Sequence, residues 1–280
     1  TEKQNEHNML MQFIEQDCFV DSKEKIAYPP VALSFGEKVI KSNKIEGDLI
    51  VPIPIGTYGN LSVVTAPPKT KKTFFISLLA SCYLSGSNQF GGDIKGHKGN
   101  DGQLVHIDTE QGLWHCQKVF ERVHKMDSNI DSEIYHTFGL RSIDYKMRIE
   151  FIDYYLREKI KTPSLVIIDG IADLCSDANN ISESNQVVQK LMEWSAKYKC
   201  HIINVIHQNF GSSKLGTGHL GSFLEKKAET VIQLEANTVN KDWVTVKCGR
   251  SRGYAFETFS FEVNEFGLPQ IVGDLYDPLK

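Results

Sequence analysis

The chain holds 280 residues, 41% of them hydrophobic and 24% charged, with a formal net charge of −4. That length suits one large α/β domain with at most a small appendage, and the composition excludes a disordered tail, a collagen and a disulfide-stapled mini-protein. No apolar run approaches the ~18 residues of a membrane span, and the charge excludes a global basic field for nucleic acid while leaving local patches open.

The first residues (TEKQNEHNMLMQFIEQDCF) lack a basic-then-apolar leader, and the start at Thr1 without an initiator methionine reads as a trimmed chain. Six cysteines (Cys18, Cys82, Cys116, Cys175, Cys200, Cys248) stand singly with no CxxC pair. Neither a zinc site nor a disulfide framework follows, and the expected setting is reducing and cytoplasmic. Cys200 and Cys248 lie in apolar, strand-like runs and are expected as buried free thiols.

In chain order, Met9, Leu10, Phe13 and Ile14 have helical spacing, and Tyr28-Pro29-Pro30 ends that pattern. Residues 1–45 are expected as a short N-terminal helical arm or lid, or as a helix covering one edge of the core. Residues 46–280 form the expected main domain. Strands are predicted at Leu61–Thr65, Gln103–Asp108, Ile134–Phe138, Leu165–Asp169 and His201–His207. Helices are predicted at Lys72–Ser85, Gly112–Lys125, Asp144–Ile160 and Ser184–Tyr198. Short apolar runs alternating with helices define a mostly parallel sheet with helices on both faces. Beyond residue 228, Thr230–Glu235, Trp243–Cys248 and Phe256–Glu262 read as strands with no helices between them, an antiparallel extension. The Gly-rich stretch Gly86–Asp101 reads as a plain mobile loop, because no helix follows it directly to cradle a phosphate.

Four strand ends carry candidate chemistry. After the first predicted strand comes Ala66-Pro67-Pro68-Lys69-Thr70-Lys71-Lys72-Thr73. This is the place of a phosphate loop, GxxxxGK[ST], in which backbone N–H groups wrap phosphates, Lys neutralises them and the hydroxyl holds Mg²⁺. Lys72 and Thr73 match, whereas Ala66 and Lys71 replace the two glycines. At Lys71 a side chain stands where backbone must approach phosphate. Residues 105–110 (VHIDTE) and 165–170 (LVIIDG) each close an apolar strand with acids at the edge where ligands bind in open α/β sheets. The fourth strand ends Ile206-His207-Gln208-Asn209, with two polar side chains able to sense a γ-phosphate. The loop after it, Phe210–Gly221, is flexible and slightly basic, with Lys214 and His219. Lys247, Arg250 and Arg252 cluster at the end of a strand, as a solvated hairpin tip or as arginines for a neighbouring subunit's site.

Those motifs, spanning roughly residues 59–262, resemble the RecA-like ATPase superfamily, in the branch with hexameric replicative helicases of the DnaB and RepA types. The resemblance implies a RecA-like fold that binds ATP and Mg²⁺. Ala66, Lys69, Thr70, Lys71, Lys72 and Thr73 would cradle the phosphates, and Thr73 and Asp169 would hold the metal. Glu110 would be the general base and Gln208, beside His207, the sensor. Arg250 and Arg252 would act in trans. Lys214 and His219 lie in the loop that in such proteins faces single-stranded DNA, and the likeness implies a homo-oligomer in the form of a hexameric ring, with no membrane association. The phrases KTKKTFF, HIDTEQ, LVIIDGIADL, VIHQN and GHLGSFLEKKAETVI are similar to RepA-type ATPases of mobilizable transposons of Bacteroidetes, a subgroup in which a basic residue often replaces the second glycine. Ala66 departs from that pattern too. The leading expectation is a DNA motor or loader of a mobile element, acting in replication, mobilisation or excision. The alternatives are a non-hydrolysing DNA-binding or assembly factor on the same fold, and a small-molecule kinase.

Overall fold

A computed structural model describes residues 2–41, 48–99, 102–160, 162–208 and 216–273. Its main body is a nine-stranded sheet. The strands are β3 (Leu61–Ala66), β5 (Leu104–Asp108), β6 (Tyr135–Gly139), β7 (Leu165–Asp169), β8 (His201–His207), β9 (Thr230–Ala236), β10 (Val244–Ser251), β11 (Phe259–Val263) and β12 (Pro269–Val272). Their spatial order is β12-β11-β10-β9-β3-β8-β7-β5-β6. From β9 to β6 every pairing is parallel, and from β9 to β12 every pairing is antiparallel. The α/β architecture anticipated from the sequence is therefore present, including the C-terminal antiparallel strands.

Helices α2 (Lys72–Ser85), α3 (Leu113–Met126), α4 (Tyr145–Tyr154), α5 (Ile181–Tyr198) and α6 (Gly218–Lys227) connect the strands. Residues Tyr155–Ile160 continue α4 as a π-helix, completing the predicted run to Ile160. Two apolar clusters fill the two faces of the sheet. Leu78, Leu79, Val64, Ile167, Val205 and Phe261 belong to one; Val63, Ile168, Leu191, Trp194 and Leu220 belong to the other. Neighbouring β-strand residues divide between them (Val63 and Val64, Ile167 and Ile168), because successive side chains of a strand point to opposite faces. A strand buried on both faces is apolar nearly throughout, as in LVIID; in HIINVI the two polar residues, His201 and Asn204, are buried and hydrogen-bonded.

The N-terminal region differs from the expectation. Helix α1 (Glu2–Cys18) forms, but its described side chains are exposed, so it covers no edge of the core. Strands β1 (Val31–Ile40) and β2 (Leu49–Thr57), unanticipated in the sequence, pair antiparallel, and β4 (Ile94–Gly96) joins β1 from within the stretch read as a mobile loop. Leu33 and Phe35 of β1 enter the core, with the Phe35 ring stacked 4.1 Å from Phe259. Residues 31–40, from the segment expected as an arm, thus pack on the main body. The third strand of the C-terminal extension starts at Phe259 rather than Phe256. All six cysteines are free: Cys200 is fully buried as expected, while Cys248 is only half-buried, a correction that follows from its place on β10 beyond Val246, the last residue paired with β11. Among the described residues no helix is long and apolar enough to cross a membrane.

Candidate functional site

The phosphate loop follows β3 and opens α2 at the C-terminal edge of the parallel strands. Two of its non-glycine residues have left-handed backbone, Lys69 at φ +67° and Lys71 at φ +54°. Lys71 therefore takes the conformation that glycine would ordinarily supply. Its side chain leaves the loop, with Nζ donating to the Asp242 carbonyl 2.8 Å away. Ala66 is a fully buried strand residue whose carbonyl accepts from Gln208 N at 3.0 Å, so its methyl group sits in the sheet. Thr70 donates its hydroxyl to the Pro67 carbonyl at 2.8 Å, closing the turn. Helix α2 starts with no side-chain cap and no acid in its first turn. Its positive end thus opens among the residues that line the cleft, as an anion site requires.

The acids stand at the ends of β5 and β7, which pair with each other, with β8 between them and β3. Asp108 accepts from Glu110 N (2.9 Å), Gln111 N (2.8 Å) and Gln111 Nε2 (2.8 Å), an Asx turn that fixes Glu110. The Thr109 hydroxyl donates to the Gly170 carbonyl at 2.8 Å, tying the ends of β5 and β7 together. Gly170 has φ +98°, and a Cβ there would meet Thr109 Oγ1 at 2.3 Å. Asp169 is 3% exposed, and its Oδ2 has no hydrogen-bond partner. Burial pushes its carboxyl up to about 7; Asp108 and Glu110 push the same way, while Lys72 and the Thr73 hydroxyl oppose.

His207 joins the parts. Lys72 Nζ lies 2.8 Å from His207 Nδ1, and His207 Nε2 lies 3.5 Å from Glu110 Oε1. With Lys72 donating, Nδ1 accepts, so the neutral ring carries its proton on Nε2, towards Glu110. The His207 contact holds the Glu110 carboxyl below its ordinary range, with Lys72 adding to it. Burial lowers the Lys72 ammonium, while Glu110 and Asp169 act to raise it.

Gln208 does not join this group. Its side chain is buried and donates to Thr65 Oγ1 at 3.2 Å, because consecutive strand residues face opposite ways. Of the two residues expected at the sensor position, His207 faces Lys72 and Glu110, and Gln208 does not. The His207 carbonyl in turn accepts from both Thr217 N and Thr217 Oγ1 at 2.8 Å, linking it to the start of α6.

Arg250 and Arg252 lie away from this cleft. Arg250 pairs with Val231, which pairs with Val63, three residues before Ala66. Arg252 N donates to the Glu229 carbonyl, and Glu229 N to that of Leu61, five strand steps before Ala66, about 17 Å at 3.3 Å per residue. Both arginines are exposed, and Arg252 also donates Nη2 to the Lys227 carbonyl at 2.9 Å, closing the C-terminus of α6. Neither arginine sits at its own chain's phosphate loop. Lys214 falls outside the described residues. The stretch read as a flexible loop to Gly221 is already helical from Gly218, so His219 is an exposed residue of the first turn of α6.

Lys69–Phe74, Glu110 and His207 line a cleft of about 510 Å³. Its other wall, unanticipated in the sequence, is one face of α3, with Trp114, His115, Lys118 and Arg122. Their i, i+4 and i+8 spacing (114, 118, 122) puts them on one helix face, but the sequence alone predicts the helix and not the cleft that face lines.

A phosphate loop, an acid closing the adjacent strand region and a buried Asp at the end of an apolar strand define a P-loop ATPase of RecA-like fold. The sequence pattern of the AAA-domain family matches residues 54–212, more than half of the chain, and the chain belongs to that family. An AAA domain binds nucleotide, typically ATP with Mg²⁺. The crystal structure of the RadB recombinase is similar in fold, with a TM-score of 0.53 and 15% identity over 77% of this chain and 92% of that one. In all, 679 solved chains resemble this one, so the likeness shows the fold and selects no function within it. No curated protein sequence matches the chain significantly.

Thr73 and Asp169 fit a Mg²⁺ ion. Asp169 carries a buried Oδ2 with no hydrogen-bond partner in the protein, an acceptor of the kind a hard cation takes. Among the described residues no three His, Cys, Asp or Glu side chains gather to hold a metal alone. A cation here would take phosphate oxygens as its remaining ligands, as Mg²⁺ does when bound with a nucleotide.

Proposed function

We propose that this chain is an oligomeric, ATP-dependent motor or loader acting on single-stranded DNA, in the replication, mobilisation or excision of a mobile element, in a cytoplasmic setting. The observation that carries the reading is the convergence of Lys72, His207 and Glu110 on one cleft above Asp169. Lys72 binds the β- and γ-phosphates, and Thr73 and Asp169 hold Mg²⁺, which neutralises charge on the phosphates when bound. Glu110, kept ionised by its neighbours, accepts a proton from the attacking water.

Phosphate entering the cleft competes with His207 for Lys72. The released ring then reports the γ-phosphate through its carbonyl contacts to Thr217, towards α6 and the segment with Lys214. His219, Lys226 and Lys227 are exposed on α6 and give that face a basic character suited to a nucleic-acid backbone. The distance of Arg250 and Arg252 from their own phosphate loop supports action on a neighbour's nucleotide, in a closed homo-oligomer such as a hexamer.

The test is Mg·ATP hydrolysis with and without single-stranded DNA. Glu110→Gln is expected to keep nucleotide binding and to lower turnover by about 10²- to 10⁴-fold, as removal of a general base does. Mixing Arg250→Ala with Lys72→Ala chains is expected to restore part of the activity, since each mixed interface regains one intact site. Arg250 is preferred to Arg252 because Arg252 also closes α6. ATP binding without hydrolysis, under all DNA conditions, would return the reading to a non-hydrolysing DNA-binding or assembly factor.

A further inference from the structure

The phosphate end of the cleft accounts for only part of its lining. The α3 wall carries Trp114, 64% exposed although it is the largest apolar side chain of the helix. The indole is held from two sides: the His115 ring meets it edge-on at 4.9 Å and 86°, and Lys118 Nζ lies 5.6 Å from its centroid. Lys118 is itself paired to Glu121 at 2.9 Å. Deeper in, Arg122 stacks on the Phe74 ring at 3.8 Å and donates to Ser77 Oγ at 3.0 Å, so that part of the wall is already consolidated.

A nucleoside triphosphate whose phosphates lie on Lys72 and the start of α2 has its base elsewhere along the same cleft. The geometry points to Trp114 as the platform on which that base stacks, with Lys118 beside it. This inference rests on the ATPase reading and deepens it by naming the residue that recognises the nucleoside. An aromatic plate takes the π-face that every base presents, so it favours large purine rings and reads no base edge. ATP and GTP are therefore expected to bind alike, and the affinity gained over the bare phosphate chain belongs to Trp114.

The experiment compares equilibrium binding of Mg·ATP and of Mg·tripolyphosphate to the full chain and to its Trp114→Ala and Trp114→Phe variants, by calorimetry. Trp114 is exposed, so neither variant empties a core. Trp114→Ala is expected to weaken ATP about tenfold or more, the scale of one lost base stack, to leave tripolyphosphate unchanged, and to be largely rescued by Phe. Tryptophan fluorescence gives a second readout, since the nucleotide-dependent change in emission is expected to shrink in Trp114→Phe.

Equal weakening of both ligands would place the effect in the phosphate loop and overturn the platform. An unchanged ATP affinity would overturn it directly. Failure of the wild-type chain to bind either ligand would instead remove the ATPase reading on which the platform stands.

Discussion

Lys71 replaces a glycine without disturbing the phosphate loop, and the explanation is open to a stability measurement. A left-handed conformation costs an L-residue about 1–2 kcal/mol, and Lys71 holds it at φ 54°, ψ 30°. Glycine there relieves that cost but adds conformational freedom to the unfolded chain, worth about 0.4–1 kcal/mol. Both Lys71→Gly and Lys71→Ala lose the exposed bond to the Asp242 carbonyl, a contribution of roughly 0.5 kcal/mol that cancels between them. Gly should therefore exceed Ala in stability by about 0.5–1 kcal/mol, and Val should fall below Ala, because a β-branched residue tolerates this region least. Lys71 also borders α2, where glycine is preferred to alanine as a cap for separate reasons. Lys69, at φ +67° and outside any helix, supplies the control and should show the same order. The assay is urea denaturation of the nucleotide-free variants, read as a shift of midpoint at constant slope. A valine variant at either position as stable as its alanine counterpart would refute a left-handed backbone there, and with it the account of how this loop does without its glycine.

Other outcomes follow from the buried groups. Asp169 has its folded pKa raised to about 7 from 3.8, so the folded metal-free chain binds a proton more tightly than the unfolded one. That contribution is fully present below about pH 4 and is lost as pH rises through 7, at most about 4 kcal/mol for three units. In denaturation without Mg²⁺ at pH 5 and 8, Asp169→Asn should be more stable than wild type at pH 8, and a pH dependence identical to wild type would refute the assignment. A Cβ on Gly56 would lie 2.2 Å from the His201 ring, which is buried and bonded to Ser62 and the Thr57 carbonyl. Gly56→Ala should cost about 1–3 kcal/mol as overpacking, and the cost should shrink in a His201→Ala background. His207→Ala should impair ATP turnover and its response to DNA, while Gln208→Ala should act mainly through stability; in steady-state kinetics with melting curves alongside, the reverse pattern would restore Gln208 as the sensor.

The sequence made the parallel core legible because strands buried on both faces cannot alternate. Leu165–Asp169 and His201–His207 appear in the structure with their predicted bounds. Lys72, Glu110 and Asp169 were legible for a related reason: a strand ends where its apolar run ends, and the polar residue there must face the sheet edge. β1 and β2 were missed because VALSFGEKVI and LIVPIPIGT carry a glycine or prolines and have exposed outer ends, and β1 is completed by partners 59–63 residues away, from Ile94 to Gly96. The choice between His207 and Gln208 depends on strand phase. Both residues are polar and adjacent, and only the pairing of Ala66 with His207 decides which one faces Lys72.

That pairing has a consequence for how the sheet is used. Lys72, Glu110 and His207 gather at the C-terminal edge of the parallel strands, where helix α2 also begins. Antiparallel β10 runs the other way and carries its cations to the opposite edge. Asp242, just before β10, touches Lys71 at the phosphate loop, while Arg252, just after it, lies level with the start of β3 through Glu229. One strand thus connects the phosphate-loop edge of a chain to a basic end displaced along the sheet from Ala66, by three strand steps or about 10 Å at Arg250 and five or about 17 Å at Arg252. Reversing the direction of a single strand after a parallel core is sufficient to put the phosphate loop and the Arg250–Arg252 pair on opposite edges, and it is this separation that the mixing experiment probes.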